Sequence, residues 1–444
     1  MHDVPMSTTL LFLGLLVAMI LSLALEEKLH AKKSVITGVF AVIALLAGDA
    51  MHLLHVAEDS PLPIYIPMID WSVIVIIFGS SLFIDVTSRS GIFAWTAIKL
   101  TKMSGGDPVK LLWYYAAITV VFSAVLNNVT AMIIVGSLSA VSLKKLEKQS
   151  LLLGFLLTEG LLTNIGGLLT LISSIPNIIV GTAAGISFVE FFYKAAPYVV
   201  VATVATLFMA QRVFRITKLS SEAETKEAAE LVASFDETES VMSKGFFSFS
   251  WVLLGLFILG IATASVTPVI SDLGMGFVAM AFAVVALIRL KHEPEKAYVA
   301  IDWDLLLFFS YLFVVIHVME HAQVLHLIGQ GIGALLALGD VGGPLALLWS
   351  GALASSVTDN VPLAAVLGKI LAGTPSDSNL WWATIFGCNL GGNFTPIGSA
   401  STLVAVAIIH KNKLPMSFGT FVKRAAPFAV VQLVLASAYV LLFL

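Results

Sequence analysis

Residues 351–369 read GALASSVTDNVPLAAVLGK, and residues 386–407 read FGCNLGGNFTPIGSASTLVAVA. Both pieces are apolar enough to lie in a membrane, yet each is interrupted midway. The first carries Thr358, Asp359, Asn360 and Pro362; the second carries Asn389, Gly391, Gly392, Asn393, Thr395, Pro396, Gly398, Ser399 and Ser401. A spanning helix avoids such residues, because broken backbone at membrane depth survives only when buried in protein or lining a wet cavity. Transporters place substrate and ions at such breaks. A second copy lies upstream: SAVLNNVTAMIIVG from Ser123 and LLTNIGGLLTLISSIPNIIVG from Leu161.

The surrounding composition agrees. The 444 residues are 58% hydrophobic and 12% charged, with a mean hydropathy of +0.98. Soluble domains carry about 25% charged residues, so the chain reads as an all-α polytopic membrane protein with the lipid bilayer as its partner. A net charge of −4 without basic runs gives no sign of a nucleic-acid partner. The single cysteine, Cys388, excludes an intramolecular disulfide and any cysteine-based metal cluster; in its Gly-rich setting it reads as a small packing residue. The apolar run from Thr8 to Leu25 has no positive leading region and no A-x-A site, and reads as a retained first helix.

A crossing needs about 20 apolar residues. Candidates are 8–25, 34–56, 69–88, 197–214, 249–267, 272–290, 301–319 and 425–444, with 150–184 and 380–409 each crossing through a polar interruption. Segments 110–143 and 344–370 suit re-entrant hairpins, and amphipathic pieces at 90–104, 186–195, 322–338 and 415–424 suit the interface. Lys and Arg cluster at 28–33, 144–148, 212–218, 289–296 and 411–413, while 57–68, 268–271 and 371–379 have none. One threading satisfies the positive-inside rule: both termini outside, about ten crossings and two re-entrant hairpins.

The chain repeats itself. Ile69-Asp70-Trp71 returns 232 residues later as Ile301-Asp302-Trp303, and Asn128 returns at the same spacing as Asn360. Asn164-Ile165-Gly166-Gly167 returns as Asn389-Leu390-Gly391-Gly392, and SFVEFFYKAAP from Ser187 returns as SFGTFVKRAAP from Ser417. Each half makes an odd number of crossings, so the second copy is expected to be inverted, as in alternating-access transporters. The expected organisation is a first repeat at 1–215 (scaffold helices 8–56, transport elements 69–214), a polar cytoplasmic linker at 216–247, and a second repeat at 248–444 (scaffold helices 249–290, transport elements 301–444).

At the hairpin tips, helix N-termini offer N–H groups to anions and C-termini offer carbonyls to cations. Asn127, Asn128 and Thr130 form one tip, and Thr358, Asp359 and Asn360 the other. They are expected to face Asn164, Ser173, Ser174 and Asn177 in the first half, and Asn389, Asn393, Thr395, Ser399, Ser401 and Thr402 in the second. Neutral oxygens and one carboxylate suit a hard cation; Asp359, Asn360 and Asn128 are the candidate sodium ligands. Asp359 reads as an ion-binding carboxylate, or as an N-cap for the helix that follows. Glu159, one turn before Asn164, reads as a buried proton carrier or as half of an inward pair with a Lys. His317, Glu320 and His321 fit an H-x-x-E-H zinc pattern, but sit at a helix end with no third ligand downstream.

Through SAVLNNVT, NIGGLLTLISSIPN, SSVTDNVPL and NLGGNFTPIGSAST the sequence resembles the ion transporter superfamily. The branch it is most similar to contains arsenite permeases, the melanosomal P protein and NhaD-type sodium/proton antiporters. The resemblance implies a fixed scaffold, a mobile transport domain moving as an elevator, and a homodimer. SSVTDNVPL looks like the antiporter branch, although Asn127 stands where a matching Asp would be expected. NLGGNFTPIGSAST looks more like the arsenite permease side and is similar to dicarboxylate carriers. The expected function is therefore ion-coupled secondary transport of a small inorganic ion or small molecule, with sodium or protons as coupling ions and no cofactor. Sodium/proton antiport leads; an anion or oxyacid (arsenite, silicate, a dicarboxylate) is the alternative, and an intramembrane zinc enzyme a third. The short loops point to a bacterial inner membrane.

Overall fold

The computed structural model describes residues 4–54, 62–299, 301–358 and 360–444. Every regular element among them is a helix. The first half contains α1 (Met6–Ala24), the short α2 (Glu26–Leu29), α3 (Lys33–Ala50), α4 (Trp71–Ser88) and α5 (Ile92–Met103). It continues through α6 (Pro108–Val125), α7 (Asn128–Lys145), α8 (Leu152–Gly166), α9 (Ile175–Ala183) and α10 (Phe188–Val213). A linker helix, α11 (Glu222–Ala233), leads to α12 (Lys244–Thr263), α13 (Ile270–Leu287), the short α14 (Glu295–Tyr298) and α15 (Trp303–His321). The second half closes with α16 (Val324–Leu336), α17 (Gly339–Val357), α18 (Asn360–Ile370), α19 (Asn379–Gly391), α20 (Ala400–Lys411) and α21 (Phe418–Phe443).

Nine described helices are long and apolar enough to cross a membrane. Eight are crossings expected from the sequence; the ninth, Pro108–Val125, is the first arm of the first hairpin. The two interrupted crossings are broken as expected, into α8 and α9 and into α19 and α20. The pieces 186–195 and 415–424 do not form separate interfacial segments; they are the opening turns of α10 and α21, each 26 residues long. Ser187 and Ser417 start these helices by accepting the N–H of Glu190 and Thr420. At 1.5 Å per residue such a helix is about 39 Å long, more than the roughly 30 Å apolar layer. That surplus length leaves room outside the apolar layer for the amphipathic first turns. The predicted end of the second helix at 56 falls outside the described residues; α3 stops at Ala50.

The repeated sequence builds repeated local structure. Asp70 caps α4 by accepting from Ser72 and Val73 N–H, and Asp302 caps α15 by accepting from Leu305 N–H. The Trp71 indole donates to the Ile66 carbonyl at 3.1 Å, and the Trp303 indole donates to the Tyr298 carbonyl at 3.1 Å. These two Asp-Trp pairs are helix starts in both halves.

Packing crosses between the halves. α4 lies along α13 and α15 along α3, so the helices read as opening the transport elements share their largest interfaces with helices read as scaffold. Gly79 allows the first contact: a Cβ there would lie 2.7 Å from the Ala279 carbonyl carbon and the Met280 nitrogen. Phe83 of α4 stacks on Phe257 of α12 at 4.3 Å. The remaining broken and hairpin elements form a second group, α6 on α8 and α17 on α19, with α20 against α7 and α8 and α9 against α18. Glycines set these approaches as well. A Cβ on Gly166 would meet Val120 Cα at 2.7 Å, and one on Gly391 would run into the Ala352 carbonyl.

Candidate functional site: the paired helix breaks

Each broken helix stops at a Gly-Gly pair and resumes at a serine followed by a new N-terminal turn. α8 ends at Gly166, and α9 resumes after Ser174 with Pro176 in its first turn, where a missing N–H costs nothing. α19 ends at Gly391, and α20 resumes after Ser399, whose hydroxyl accepts the Thr402 N–H. Gly167 leaves room for Asn128; a Cβ on it would sit 2.8 Å from Asn128 Oδ1.

Carbonyls near these helix ends accept from side-chain hydroxyls alike in the two halves. Ser123 Oγ donates to the Thr163 carbonyl at 2.6 Å, and Ser355 Oγ to the Cys388 carbonyl at 2.6 Å. Thr170 Oγ1 donates to the Ala124 carbonyl at 2.6 Å, and Thr395 Oγ1 to the Ser356 carbonyl at 2.5 Å. Each hairpin's first arm is thereby stitched to the broken helix of its own half.

The halves then exchange contacts. Asn164 Nδ2 reaches the second break, donating to Asn393 Oδ1 at 2.8 Å and Ser399 Oγ at 2.9 Å, while Ser401 Oγ donates to Asn164 Oδ1 at 3.2 Å. Asn389, the repeat mate of Asn164, reaches the first break. Its Oδ1 accepts from Ser174 Oγ at 2.6 Å, and its Nδ2 donates to Asn177 Oδ1 at 2.9 Å. Asn177 in turn donates to the carbonyls of Gly167 and Thr170. These amides are buried, and no Lys or Arg among the described residues hydrogen-bonds to them. The result is a neutral, oxygen-rich junction.

Several predicted residues meet here: Asn128, Asn164, Ser174, Asn177, Asn389, Asn393, Ser399 and Ser401. Ser173 closes its own loop onto Gly167 and Thr170, and Thr402 bonds back to Pro396 and Ser399. Thr395 serves the hairpin tie described above. Asn127 stands exposed as the cap of α7, accepting from Thr130 N–H at 2.7 Å. Thr358 bonds to the Ala354 carbonyl one turn back, and Asn360 opens α18. Asp359 lies outside the described residues. Of the candidate sodium ligands, Asn128 sides with Asn164 at a long 3.5 Å, and no hydrogen bond among the described residues joins it to Asn360.

Glu159 stands apart from the junction. It is 1% exposed and faces α7, where Ser139 Oγ donates to its Oε1; its Oε2 is buried without a hydrogen-bond partner. No lysine among the described residues pairs with it. The zinc pattern does not assemble either, since Glu320 binds Lys369 at 3.1 Å and His321 Nδ1 lies 3.0 Å from the His317 carbonyl. No group of three or more His, Cys, Asp or Glu suited to a metal occurs among the described residues.

Sequence reading missed Gln432. This buried amide on α21 accepts from Asn393 Nδ2 at 2.7 Å and donates to Thr206 of α10 at 3.0 Å, tying the second break to both long terminal helices. A lone Gln inside an apolar helix was the available signal. Ser123, Ser355 and Thr170 carry no such signal, because hydroxyls are common in membrane helices.

The family described as citrate transporter (CitMHS) matches residues 32–387. The 46 kDa membrane protein of Mycobacterium leprae is 26% identical over 427 residues, covering 94% of this chain and 95% of that protein. An uncharacterized transporter of Mycobacterium tuberculosis is 27% identical over 421 residues, covering 93% and 94%. The human P protein is 24% identical over 510 residues, covering 96% of this chain and 59% of that protein. Among solved structures, the YdaH transporter of Alcanivorax borkumensis superposes with a TM-score of 0.60 at 13% identity, over 92% of this chain and 98% of that one. MtrF of Neisseria gonorrhoeae, described with a class of antimetabolite efflux pumps, gives 0.58 at 12% identity, over 93% and 95%. At such identities these structures speak to the fold.

Proposed function

Because the chain belongs to the citrate transporter family, we propose that it is a cation-coupled secondary transporter whose junction of helix breaks holds the coupling ion. Sodium/proton antiport is the first reading. The observation that carries it is the neutral cluster of Asn and Ser oxygens contributed by both halves, with no bound cationic side chain among the described residues. Amide and carbonyl oxygens suit an alkali cation. Asp359, beside Thr358 in the sequence, would supply the charge for which sodium and a proton compete, and Glu159 would carry a proton at a second position. In the elevator reading the fixed part would be α1, α3, α12 and α13, joined by α4 and α15 that pack on them, in a homodimer, with the stitched hairpins and broken helices as the moving part.

A second reading is supported by the family description and by the helices that begin at the breaks. A small carboxylate such as citrate would sit at helix N-termini, with a co-bound cation providing the charge the cluster lacks. One experiment separates the readings. Purified protein in sealed vesicles with an internal pH dye receives NaCl, LiCl, KCl and then citrate. Antiport predicts alkali-cation-triggered proton movement, abolished by Asp359→Asn. Silence with cations alone, followed by labelled citrate uptake, would establish the second reading instead.

A further inference from the structure

A cavity of about 390 Å³ lies between the second break and the ends of α1, α3 and α15. Lys28 of α2, Lys33 at the start of α3 and Asp304 in the first turn of α15 line it; Leu305 and Leu403 line it further along; Thr358 of the second hairpin tip and Ser399 of the second break close its inner end. It therefore runs from a charged surface, past apolar side chains, to the polar junction. At about 30 Å³ per liquid water it has room for on the order of ten waters.

The described residues of the first break are more enclosed. Residues 225 apart occupy equivalent places in the two breaks, yet their exposure differs. Ile172 and Ile175 are half-buried with Ser173 and Ser174 buried between them, whereas their mates Ile397 (45% exposed) and Ala400 are exposed. Hydrogen bonding is shared by the two halves; access is not. In a device with two equivalent halves, unequal access is what distinguishes one transport state from its opposite.

We propose that this cavity is the loading vestibule of the second break, taking a small hydrophilic ion from the side that carries Lys28 and Lys33. The positive-inside rule makes that the cytoplasmic side. The mouth is not a fixed block of one charge. Lys33 lies 4.0 Å from Glu26, and Asp304 accepts from Ser34 Oγ at 2.5 Å. At the inner end, Ser399 is the hydroxyl that accepts from Asn164. An ion arriving there competes for the bond that joins the two halves, so loading and release of the junction are coupled. This inference rests on the transport reading above.

The test uses thiol accessibility, which needs no transport activity. In a Cys388→Ala background, free of native thiol, Ala400→Cys and Leu403→Cys are exposed to a membrane-impermeant maleimide in right-side-out and inside-out vesicles. His326→Cys, on an exposed position of α16, serves as the opposite-face control. The expected result is reaction of both vestibule positions in inside-out vesicles only, slowed by added NaCl, with the control reacting in right-side-out vesicles only. Reaction of Ala400→Cys from the control's face, or from neither face while the control reacts, overturns the proposal. A silent flux assay with inner-face labelling intact counts against the transport reading alone.

Discussion

Asn164 donates to Ser399 at 2.9 Å, and Asn389 accepts from Ser174 at 2.6 Å; the same residue pair, 225 positions apart, is used once in each direction. Removing one amide strands several buried partners, and each stranded buried polar group costs about 1–3 kcal/mol. Asn164→Ala is therefore expected to lower the unfolding temperature in detergent clearly. Asn164→Ala with Ser399→Ala should cost less than the sum of the single changes, because both remove one bond; strict additivity would show that the contact is not energetic. Glu159 makes a different prediction. Glu159→Gln keeps the Ser139 contact but removes the ionisable group, so it should abolish the pH dependence of transport while leaving ion binding at the junction. Unchanged pH dependence would leave Glu159 a structural residue. Sequence alone picked out Asn164, Asn389 and Ser399, because an amide or a hydroxyl beside Gly-Gly in an apolar run has few other uses. It could not rank them above Asn127 or Thr130, which serve their own helix ends, since capping and site-building use the same residue types.

At the scale of elements, helix starts were legible and helix lengths were not. Asp70, Asp302, Ser187 and Ser417 all cap as their chemistry suggests, but the amphipathic turns after Ser187 and Ser417 disguised one long helix as two pieces. Close helix approach gives the next prediction. Gly391→Val places a branched side chain against the Ala352 carbonyl, and overpacking of this kind costs about 1–3 kcal/mol. It should lower stability, whereas Gly255→Ala, at a position with open space, should not. The linker is more than a bare tether: Glu237 binds Lys102 at 2.6 Å and Lys99 at 3.6 Å, and Lys145 lies 4.0 Å over the Phe235 ring. The hydrogen bond from Lys102 holds the Glu237 carboxyl below its usual range. A depressed carboxylate stabilises the docked form above its ordinary pKa and loses that contribution as pH falls through the lowered value. Hydrogen exchange over 222–240, corrected for intrinsic rate, should therefore rise only on strong acidification, and Glu237→Gln should raise it at neutral pH. Equal protection in the variant would mean the clasp does not hold the linker.

For the whole molecule, composition and hydropathy were enough to read a polytopic helical membrane protein, and the 232-residue spacing was enough to read two related halves. Partner choice was not legible. Order along the chain places α4 and α15 with the transport elements, but Gly79 lets α4 pack on α13, and α15 packs on α3. Periodicity reports that a face is buried and is silent about what covers it. The access route was equally hidden, since it depends on a difference between two breaks of nearly the same sequence. Residue contacts, helix breaks and paired halves converge on a coupling cation proposed at the junction that both halves build. Labelled-sodium binding to purified protein by equilibrium dialysis, compared with Asn164→Ala and Asn389→Ala, tests it most directly. The parent protein is expected to bind sodium saturably and the two variants to lose binding comparably, because the two amides have equivalent roles. Full sodium binding in both variants, in protein that remains folded, would contradict it.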